Sequence, residues 1–235
     1  MQNIFILTGA GISAESGLKT FRDAGGLWEG HRIEDVATPE AFATHPQLVH
    51  DFYNARRSQL RTVEPNPAHH ALVRLQQHYN AHLTLVTQNV DDLHERADMR
   101  DVIHMHGELL KKSCTRCNAV RDCVTDISVN TPCEDCGSMH TMRPQIVWFG
   151  EMPLRMDEIH QKLIQTDLLI AIGTSGMVYP AAGFAAEAKC HGAQLIEANL
   201  LDTGITSIFD EHLEGPATQT IPVLVDRIIK EARQR

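Results

Sequence analysis

Short apolar runs separated by amphipathic segments predict an α/β fold for this chain. A run that is apolar at successive positions suits a strand buried on both faces, as in a parallel sheet. Such runs, complete or nearly so, lie at residues 4–7, 83–87, 168–172 and 194–198. Helical spacing of apolar residues occurs between them, most regularly at residues 46–61 and 157–165. We therefore predict a Rossmann-like dinucleotide-binding domain with a parallel sheet, accompanied by a smaller domain.

The turn after the first run carries a glycine pattern typical of dinucleotide-binding folds. Gly9, Gly11 and Ala14 fit G-x-G-x-x-A between a strand and a helix. A residue without Cβ lets the backbone turn sharply and lets a phosphate approach, and the helix start near Ser13 would offer N–H groups to that anion. An ordinary glycine-rich βα turn would give the same pattern, so this match alone leaves both readings open.

Polar or small residues follow the other predicted strands. Because ligands of open α/β sheets bind beyond the carboxyl ends of the strands, these loops should line one crevice. An amide and a carboxylate there could hold ribose hydroxyls or a carboxamide, although Asn89 or Asp91 could equally cap a helix. The loops contain Gln88, Asn89 and Asp91, then Gly173, Thr174 and Ser175, and finally Asn199.

Two histidines stand near the end of another short strand. His104 and His106, two positions apart, would lie on the same side of that strand. A histidine in a core is more often hydrogen-bonded than catalytic. His106 is the better candidate, because Gly107 follows it and places it where the strand ends.

The helix predicted at residues 46–61 carries an arginine on its apolar stripe. Its inner positions are Val49, Phe52, Tyr53, Arg56 and Leu60. Arg56 could extend its stem to the edge of the core and leave its charge in water. Alternatively, Tyr53 and Arg56 could face a cleft together and meet an anionic group.

Four of the six cysteines form two C-x-x-C pairs separated by fifteen residues. This spacing is typical of a zinc site in which four thiolates complete a tetrahedron and leave no position open for water. We predict one structural zinc ion in a smaller helical and zinc-binding domain. Its ligands would be Cys114, Cys117, Cys133 and Cys136.

Composition narrows the class of protein further. The net charge is −9 and no run of lysine or arginine could follow a phosphate backbone, which argues against nucleic-acid binding. No uninterrupted apolar stretch approaches the length of a membrane span, and the amino terminus does not resemble a secretion signal. We therefore expect a cytoplasmic protein that contacts neither nucleic acid nor membrane.

Taken in order, the motifs resemble those of the sirtuins, which are NAD-dependent protein-lysine deacylases. Tyr53 and Arg56 resemble the Tyr-x-x-Arg of the branch that removes acidic acyl groups, with the nearest likeness to bacterial CobB-type enzymes. The other matching segments are residues 9–13, 21–22, 88–91, 106–107, the four cysteines, 148–151 and 173–175.

The resemblance implies that NAD is a co-substrate and that His106 is a general base acting on a ribose hydroxyl. Asn89 and Asp91 would orient the ribose and the carboxamide. The implied catalytic residues are therefore His106, Asn89 and Asp91. The implied NAD contacts are Gly9, Ala10, Gly11, Ile12, Ser13, Phe21, Arg22, Trp28, Gln88, Asn89, Asp91, Gly173, Thr174, Ser175, Asn199 and Ala217.

The resemblance also implies the substrate and the products. The amide oxygen of an acetyl-, succinyl- or malonyl-lysine side chain in a protein would attack C1′ of the nicotinamide ribose. Nicotinamide, O-acyl-ADP-ribose and free lysine would result. Tyr53 and Arg56 would bind the distal carboxylate, and the peptide backbone would pair with a segment formed by Val147, Phe149, Gly150 and Glu151.

A division into domains accompanies this interpretation. The larger domain would comprise residues 1–30, 82–106 and 144–235, and the smaller one residues 31–81 and 107–143.

An ADP-ribosyltransferase and a non-catalytic NAD-binding module remain alternative functions. A nicotinamide-dependent dehydrogenase is disfavoured, because no Tyr-x-x-x-Lys occurs in the sequence.

Overall fold

The computed structural model describes residues 2–19, 27–28, 30–79 and 82–234. Its strands are β1 (Ile4–Thr8), β2 (Leu27–Trp28), β3 (His31–Arg32), β4 (Leu83–Thr87), β5 (Ile103–His104), β6 (Gly107–Cys114), β7 (Val120–Asp122), β8 (Met142–Ile146), β9 (Leu168–Ile172), β10 (Gln194–Asn199) and β11 (Glu211–Glu214). Its helices are α1 (Gly11–Ala14), α2 (Ile33–Val36), α3 (Pro39–Thr44), α4 (Pro46–Leu60), α5 (Pro67–Tyr79), α6 (Leu93–Arg96), α7 (Met156–Leu163), α8 (Phe184–Cys190) and α9 (Ala217–Gln234).

Six parallel strands form the central sheet in the order β11-β10-β9-β1-β4-β5. Strands β4 and β5 lie on one side of β1, and the later strands β9, β10 and β11 lie on the other side. The strand order therefore reverses between β1 and β9. Thr8 is level with Thr87 on one neighbour and with Ile172 on the other. The loops that follow these strands therefore leave the sheet at one height, beside the point where a doubly wound sheet binds its ligand.

Apolar side chains cover both faces of this sheet. One cluster packs strand residues such as Ile6 and Ile170 against α5 and α9, with Leu72 and Ile221 among its members. The opposite cluster packs Phe5 and its neighbours against α7 and α8. Burial on both faces explains why the strand sequences are continuously apolar rather than alternating. The predicted α/β class with a Rossmann-like parallel sheet is confirmed.

A second, smaller layer is built from α2–α4 and a three-stranded antiparallel sheet of order β7-β6-β8. Its core includes Val49, Tyr53 and Trp148. The Thr38 hydroxyl accepts a hydrogen bond from the Ala41 N–H and so caps α3, while Pro39 and Pro46 occupy first turns. The division of the chain into the two sets of residue ranges stays a prediction.

Two elements differ from what their sequence pattern predicts. The pattern at residues 145–151 predicts a strand, whereas β8 ends at Ile146, which is level with Gly107 in the antiparallel sheet. Pro222 predicts the first turn of a final helix over residues 223–232, whereas α9 begins at Ala217 and contains Pro222. Among the described helices, none is long and apolar enough to cross a membrane.

The two loops that flank the reversal point touch through their backbones. The Gly11 N–H donates to the Gly173 carbonyl at 2.9 Å. A Cβ added to Gly11 would lie 2.5 Å from Gly173 Cα, and one added to Gly9 would lie 2.7 Å from the Gly173 carbonyl oxygen. Gly173 also has a φ of +60°, which favours glycine. Glycine at these positions therefore serves loop-to-loop contact within the protein.

We expect Gly11→Ala to destabilise the fold by about 2 kcal/mol, because the added methyl group would meet backbone atoms that cannot rotate away. Urea denaturation of the variant and the parent would measure the difference. Gly204→Ala is the matched control, since its Cβ position has no atom of a described residue within 4 Å apart from its chain neighbours. Equal midpoints for Gly11→Ala and the parent would contradict the prediction.

Candidate active site

Side-chain hydrogen bonds join the loops that follow β4, β9 and β10. The Gln88 side-chain amide donates to the Thr174 hydroxyl at 2.9 Å. The Asn199 side-chain amide donates to the Thr174 carbonyl at 2.7 Å. The structure thus brings Gln88, Thr174 and Asn199 together at the carboxyl edge of the sheet, where the sequence predicted one crevice.

A buried network connects the glycine turn with the loop after β4. The Ser13 hydroxyl donates to Asp91 Oδ2 at 3.0 Å and lies 3.1 Å from Asn89 Nδ2, which also donates to the Gly9 carbonyl at 3.2 Å. All three side chains are buried. Asp91 Oδ1 accepts the Leu93 N–H at 3.1 Å. Asn89 and Asp91 are therefore held rigidly beside the glycine turn.

Burial raises the pKa of Asp91 to about 6, even though the Leu93 N–H and the Ser13 hydroxyl both favour its ionised form. Removing a carboxylate from water costs more than these two hydrogen bonds return. The folded protein consequently holds this proton more tightly than the unfolded chain does.

The glycine turn differs in detail from the expected anion site. Helix α1 has only four residues. The N–H groups of Gly9, Gly11, Ile12 and Ser13 all donate to carbonyls of the protein itself. A phosphate at this turn would therefore depend on other donors than the row of free helix N–H groups that the sequence suggested.

His106 lies in the short connection between β5 and β6, half-buried. Its Nδ1 is 3.0 Å from the Gln88 carbonyl oxygen, which can only accept, so Nδ1 carries the proton. Its Nε2 is then the basic nitrogen. Burial lowers the pKa of His106, and the Gln88 carbonyl only partly opposes this. A neutral imidazole with a fixed tautomer is suited to accept a proton near neutral pH.

His104 is held differently from His106. Its Nε2 contacts Glu95 Oε1 at 2.6 Å, and its Nδ1 lies 3.3 Å from the Asn89 carbonyl. Burial alone would lower the pKa of His104, but the hydrogen bond and charge of Glu95 outweigh burial and raise it. Both ring nitrogens of His104 are therefore engaged within the protein, and the side chain supports the loop after β4.

Helix α4 places two successive arginines in different surroundings. Arg56 is half-buried, with its guanidinium carbon 4.8 Å from the centre of the Phe52 ring. Arg57 is fully buried and donates to the Leu109 carbonyl at 3.1 Å and to the Asn54 side chain at 2.7 Å. Sequence reasoning missed Arg57. Its spacing of four residues from Tyr53 and three from Leu60 was the available signal.

The segment after β8 is a compact turn in which the Glu151 carboxylate is hydrogen-bonded within the protein. Glu151 accepts two hydrogen bonds from Arg143, at 2.6 and 2.8 Å, and a third from the Trp148 N–H at 2.8 Å. These contacts lower the pKa of Glu151 despite its partial burial. The Phe149 N–H donates to the Ala37 carbonyl at 3.0 Å. Sequence reasoning did not identify Arg143.

The Val147 N–H donates to the His106 carbonyl at 2.9 Å, which ties the turn to the histidine. A peptide strand would therefore have to pair with the remaining polar groups around Gly150, whose φ is +92°. Pairing of a substrate with this segment stays a prediction.

The loop after β10 has its own support, which the sequence did not reveal. Glu197 is buried in β10 and accepts hydrogen bonds from Thr203 at 2.7 Å, from Thr206 at 2.5 Å and from His212 at 3.0 Å. The Gly215 N–H donates to the Asn199 carbonyl at 2.9 Å, which brings the start of α9 and Ala217 to this loop.

Two of the expected NAD contacts, Phe21 and Arg22, lie outside the described residues. Trp28 packs against Phe52 and Tyr53, with ring centroids 4.8 and 6.0 Å apart, and so belongs to the aromatic cluster on α4. Ala10 and Ile12 lie in the glycine turn, and the Ser175 hydroxyl accepts the Met177 N–H at 3.3 Å.

The four paired cysteines converge as their spacing predicts. Their sulfur atoms all lie within 4.8 Å of one another, with Cys114 to Cys136 at 3.8 Å and Cys117 to Cys133 at 3.7 Å. A tetrahedron with zinc–sulfur bonds of about 2.3 Å has edges of about 3.8 Å. The donor set and its dimensions fit one zinc ion with four protein ligands.

The sequence model that matches this chain is described as the Sir2 family, and it covers residues 9–180. The chain belongs to the Sir2 family. The resemblance to sirtuins is thereby confirmed.

Curated relatives of this Sir2 chain are named NAD-dependent protein deacylase. Those from Salmonella typhimurium and Escherichia coli (strain K12) are each 54% identical over 229 residues, which cover 97% of this chain and 84% and 82% of the relatives. The relative from Vibrio parahaemolyticus is 54% identical over 230 residues, covering 97% of this chain and 95% of its own.

Solved structures agree with this membership. A Sir2 homolog–NAD complex superposes with a TM-score of 0.88 at 40% identity and covers 97% of this chain and 90% of its own. A Sir2 homologue mutant bound to ADP-ribose gives 0.89 at 40% identity, with coverage of 98% and 93%. A Sir2 bound to acetylated peptide gives 0.80 at 28% identity, with coverage of 99% and 94%.

We expect Asp91→Asn to become more stable relative to the parent as the pH rises from 4.5 to 7.5. The measurement is the melting temperature of the variant minus that of the parent, which should increase over this range. The raised pKa means that ionised Asp91 opposes folding above pH 6 by up to about 3 kcal/mol, and this cost disappears as the carboxyl is protonated at lower pH. The variant also loses hydrogen bonds, and this changes its melting temperature by an amount that does not depend on pH. Asp98→Asn, at an exposed carboxylate, is the control.

We expect the purified Sir2 protein to contain one zinc ion per chain by elemental analysis. Removing zinc with a chelator should lower its melting temperature, because the four thiolates organise the β6–β8 sheet. Cys136→Ser should lose the metal, and Cys190→Ser, at an exposed cysteine outside the cluster, should keep it. Full zinc content in Cys136→Ser would contradict the assignment of ligands.

Proposed function

We propose that this Sir2 protein removes succinyl and malonyl groups, as well as acetyl groups, from protein lysine side chains with NAD as co-substrate. NAD-dependent protein deacylation itself follows from family membership and from the relatives of that name. Acceptance of acidic acyl groups is the finer claim. The observation that supports it is the pair Tyr53 and Arg56 on one face of α4, with the tyrosine hydroxyl bonded to the turn after β8.

His106 would act through Nε2. Its Nδ1–H is fixed on the Gln88 carbonyl, and burial lowers its pKa, so the ring is neutral and ready to accept a proton from a ribose hydroxyl. NAD, when bound, supplies a ribose whose bond to nicotinamide can be exchanged for one to the acyl oxygen.

Asn89 and Asp91 would hold that ribose and the carboxamide in place. Their anchoring to Ser13 and to the glycine turn gives them a fixed geometry before the co-substrate arrives. The crevice that Gln88, Thr174 and Asn199 border offers amide and hydroxyl groups, which suit the hydroxyls and phosphates of a dinucleotide. The residues present therefore fit NAD.

Arg56 would recognise the distal carboxylate of the acyl group. Its guanidinium lies over Phe52 on a well-packed helix, so little side-chain freedom remains to be lost on binding. A carboxylate would gain a charge-assisted hydrogen bond there, whereas an acetyl group has no atom to receive it.

We expect Arg56→Met to lower the ratio of kcat/KM for succinyl-lysine to that for acetyl-lysine by roughly 10- to 100-fold, the range for a hydrogen bond to a charged group. Nicotinamide release with matched acetyl-, malonyl- and succinyl-lysine peptides would measure it. Arg74→Met, which removes an exposed arginine on α5, is the matched control, and His106→Tyr is the inactive reference.

Equal loss of desuccinylation and deacetylation in Arg56→Met would contradict the specificity role. Labelled NAD would identify the acceptor in the same experiment. Label transferred to protein rather than to a small acyl-ADP-ribose would indicate an ADP-ribosyltransferase.

A further inference from the structure

We propose that Trp148 is a positioning residue for acyl preference: its indole N–H occupies one lone pair of the Tyr53 hydroxyl, so that the hydroxyl proton is directed to the acyl carboxylate. This inference rests on the proposed acceptance of acidic acyl groups and adds a residue outside the Tyr-x-x-Arg pair.

The hydrogen bond between the two rings has only one possible direction. Trp148 Nε1 and Tyr53 Oη lie 3.0 Å apart, and the two residues are 2% and 0% exposed. An indole nitrogen donates and cannot accept, so the tyrosine oxygen must be the acceptor. The proton of the hydroxyl is therefore not used in this contact.

That proton has no acceptor among the described residues, although the side chain is fully buried. A buried donor without a partner costs free energy, which an entering carboxylate oxygen would recover. Burial also raises the pKa of Tyr53 far above its usual value, so the hydroxyl keeps its proton. An acetyl group has no distal oxygen for this donor, whereas succinyl and malonyl groups do.

The indole ring itself packs against two side chains. The Arg143 guanidinium carbon lies 3.6 Å from the centre of the ring, and the Phe42 ring lies 5.2 Å away on centroids. Glu151 binds the Trp148 N–H of the backbone and both ends of the Arg143 guanidinium. The ion pair between Arg143 and Glu151 therefore helps to set the orientation of the indole N–H.

Trp148 also lies at the junction of two functional segments. Its neighbour Val147 donates to the His106 carbonyl, and its other neighbour Phe149 donates to the Ala37 carbonyl. The side chain of Trp148 points instead to α4 and Tyr53. One residue therefore connects the backbone beside the candidate base with the helix that would read the acyl group.

The test compares Trp148→Phe with the parent on acetyl-, succinyl- and malonyl-lysine peptides of the same sequence. Phenylalanine keeps an aromatic face for Arg143 and removes the N–H. We expect the ratio of succinyl to acetyl kcat/KM to fall roughly 3- to 10-fold, as for the loss of one neutral hydrogen bond, mainly through a higher KM for the acidic peptides. Replacement of Trp148 by 3-benzothienylalanine, which has the same shape without the N–H, should give the same shift even if the smaller ring perturbs folding.

A double-mutant cycle separates positioning from packing. Tyr53→Phe should lower the same ratio, and adding Trp148→Phe to it should lower the ratio no further, because the hydroxyl to be oriented is gone. An unchanged ratio in the benzothienyl protein, or independent effects of the two substitutions, would overturn the role of Trp148. A parent protein that releases nicotinamide with acetyl but never with acidic peptides would instead overturn the proposed acyl range, and this inference with it.

Discussion

The loops of this Sir2 protein converge because two backbones approach each other where neither residue carries a side chain. Gly11 donates to the Gly173 carbonyl, and the places where Cβ atoms would stand on Gly9 and Gly11 are occupied by atoms of Gly173 and Thr174. This contact fixes the loop after β9 against the loop after β1. Thr174 is then in position to accept from Gln88 and, through its carbonyl, from Asn199.

A second series of contacts links the candidate base to the helix that would recognise the acyl group. His106 is bonded through its ring to Gln88 and through its carbonyl to Val147, and the adjoining Trp148 donates to Tyr53. The residues that we propose for the chemistry at the ribose and for selection of the acyl group therefore belong to one hydrogen-bonded framework. A loss of packing around Arg143 and Glu151 would affect both.

The sequence predicted the central strands well because strands buried on both faces are apolar at every position. It also predicted the zinc ligands, since a C-x-x-C pair fixes its own geometry locally. The contact between Ser13 and Asp91 joins residues 78 positions apart and has no local signature. The close approach of Gly9 and Gly11 to Gly173 also joins distant parts of the chain, so the local glycine pattern did not predict it.

Adjacent arginines on α4 differ in burial because they stand one position apart along the helix. Successive residues differ by about 100° around the axis, so Arg57 lies inside while Arg56 lies at the edge. Asn54 attaches the helix to the segment between the cysteine pairs, because it exchanges two hydrogen bonds with the backbone of Ile127. Arg57 in turn donates to the Asn54 side chain. The zinc ion would thus stabilise, through these contacts, the orientation of the helix that carries Arg56 and Tyr53, the residues proposed to bind the acyl group.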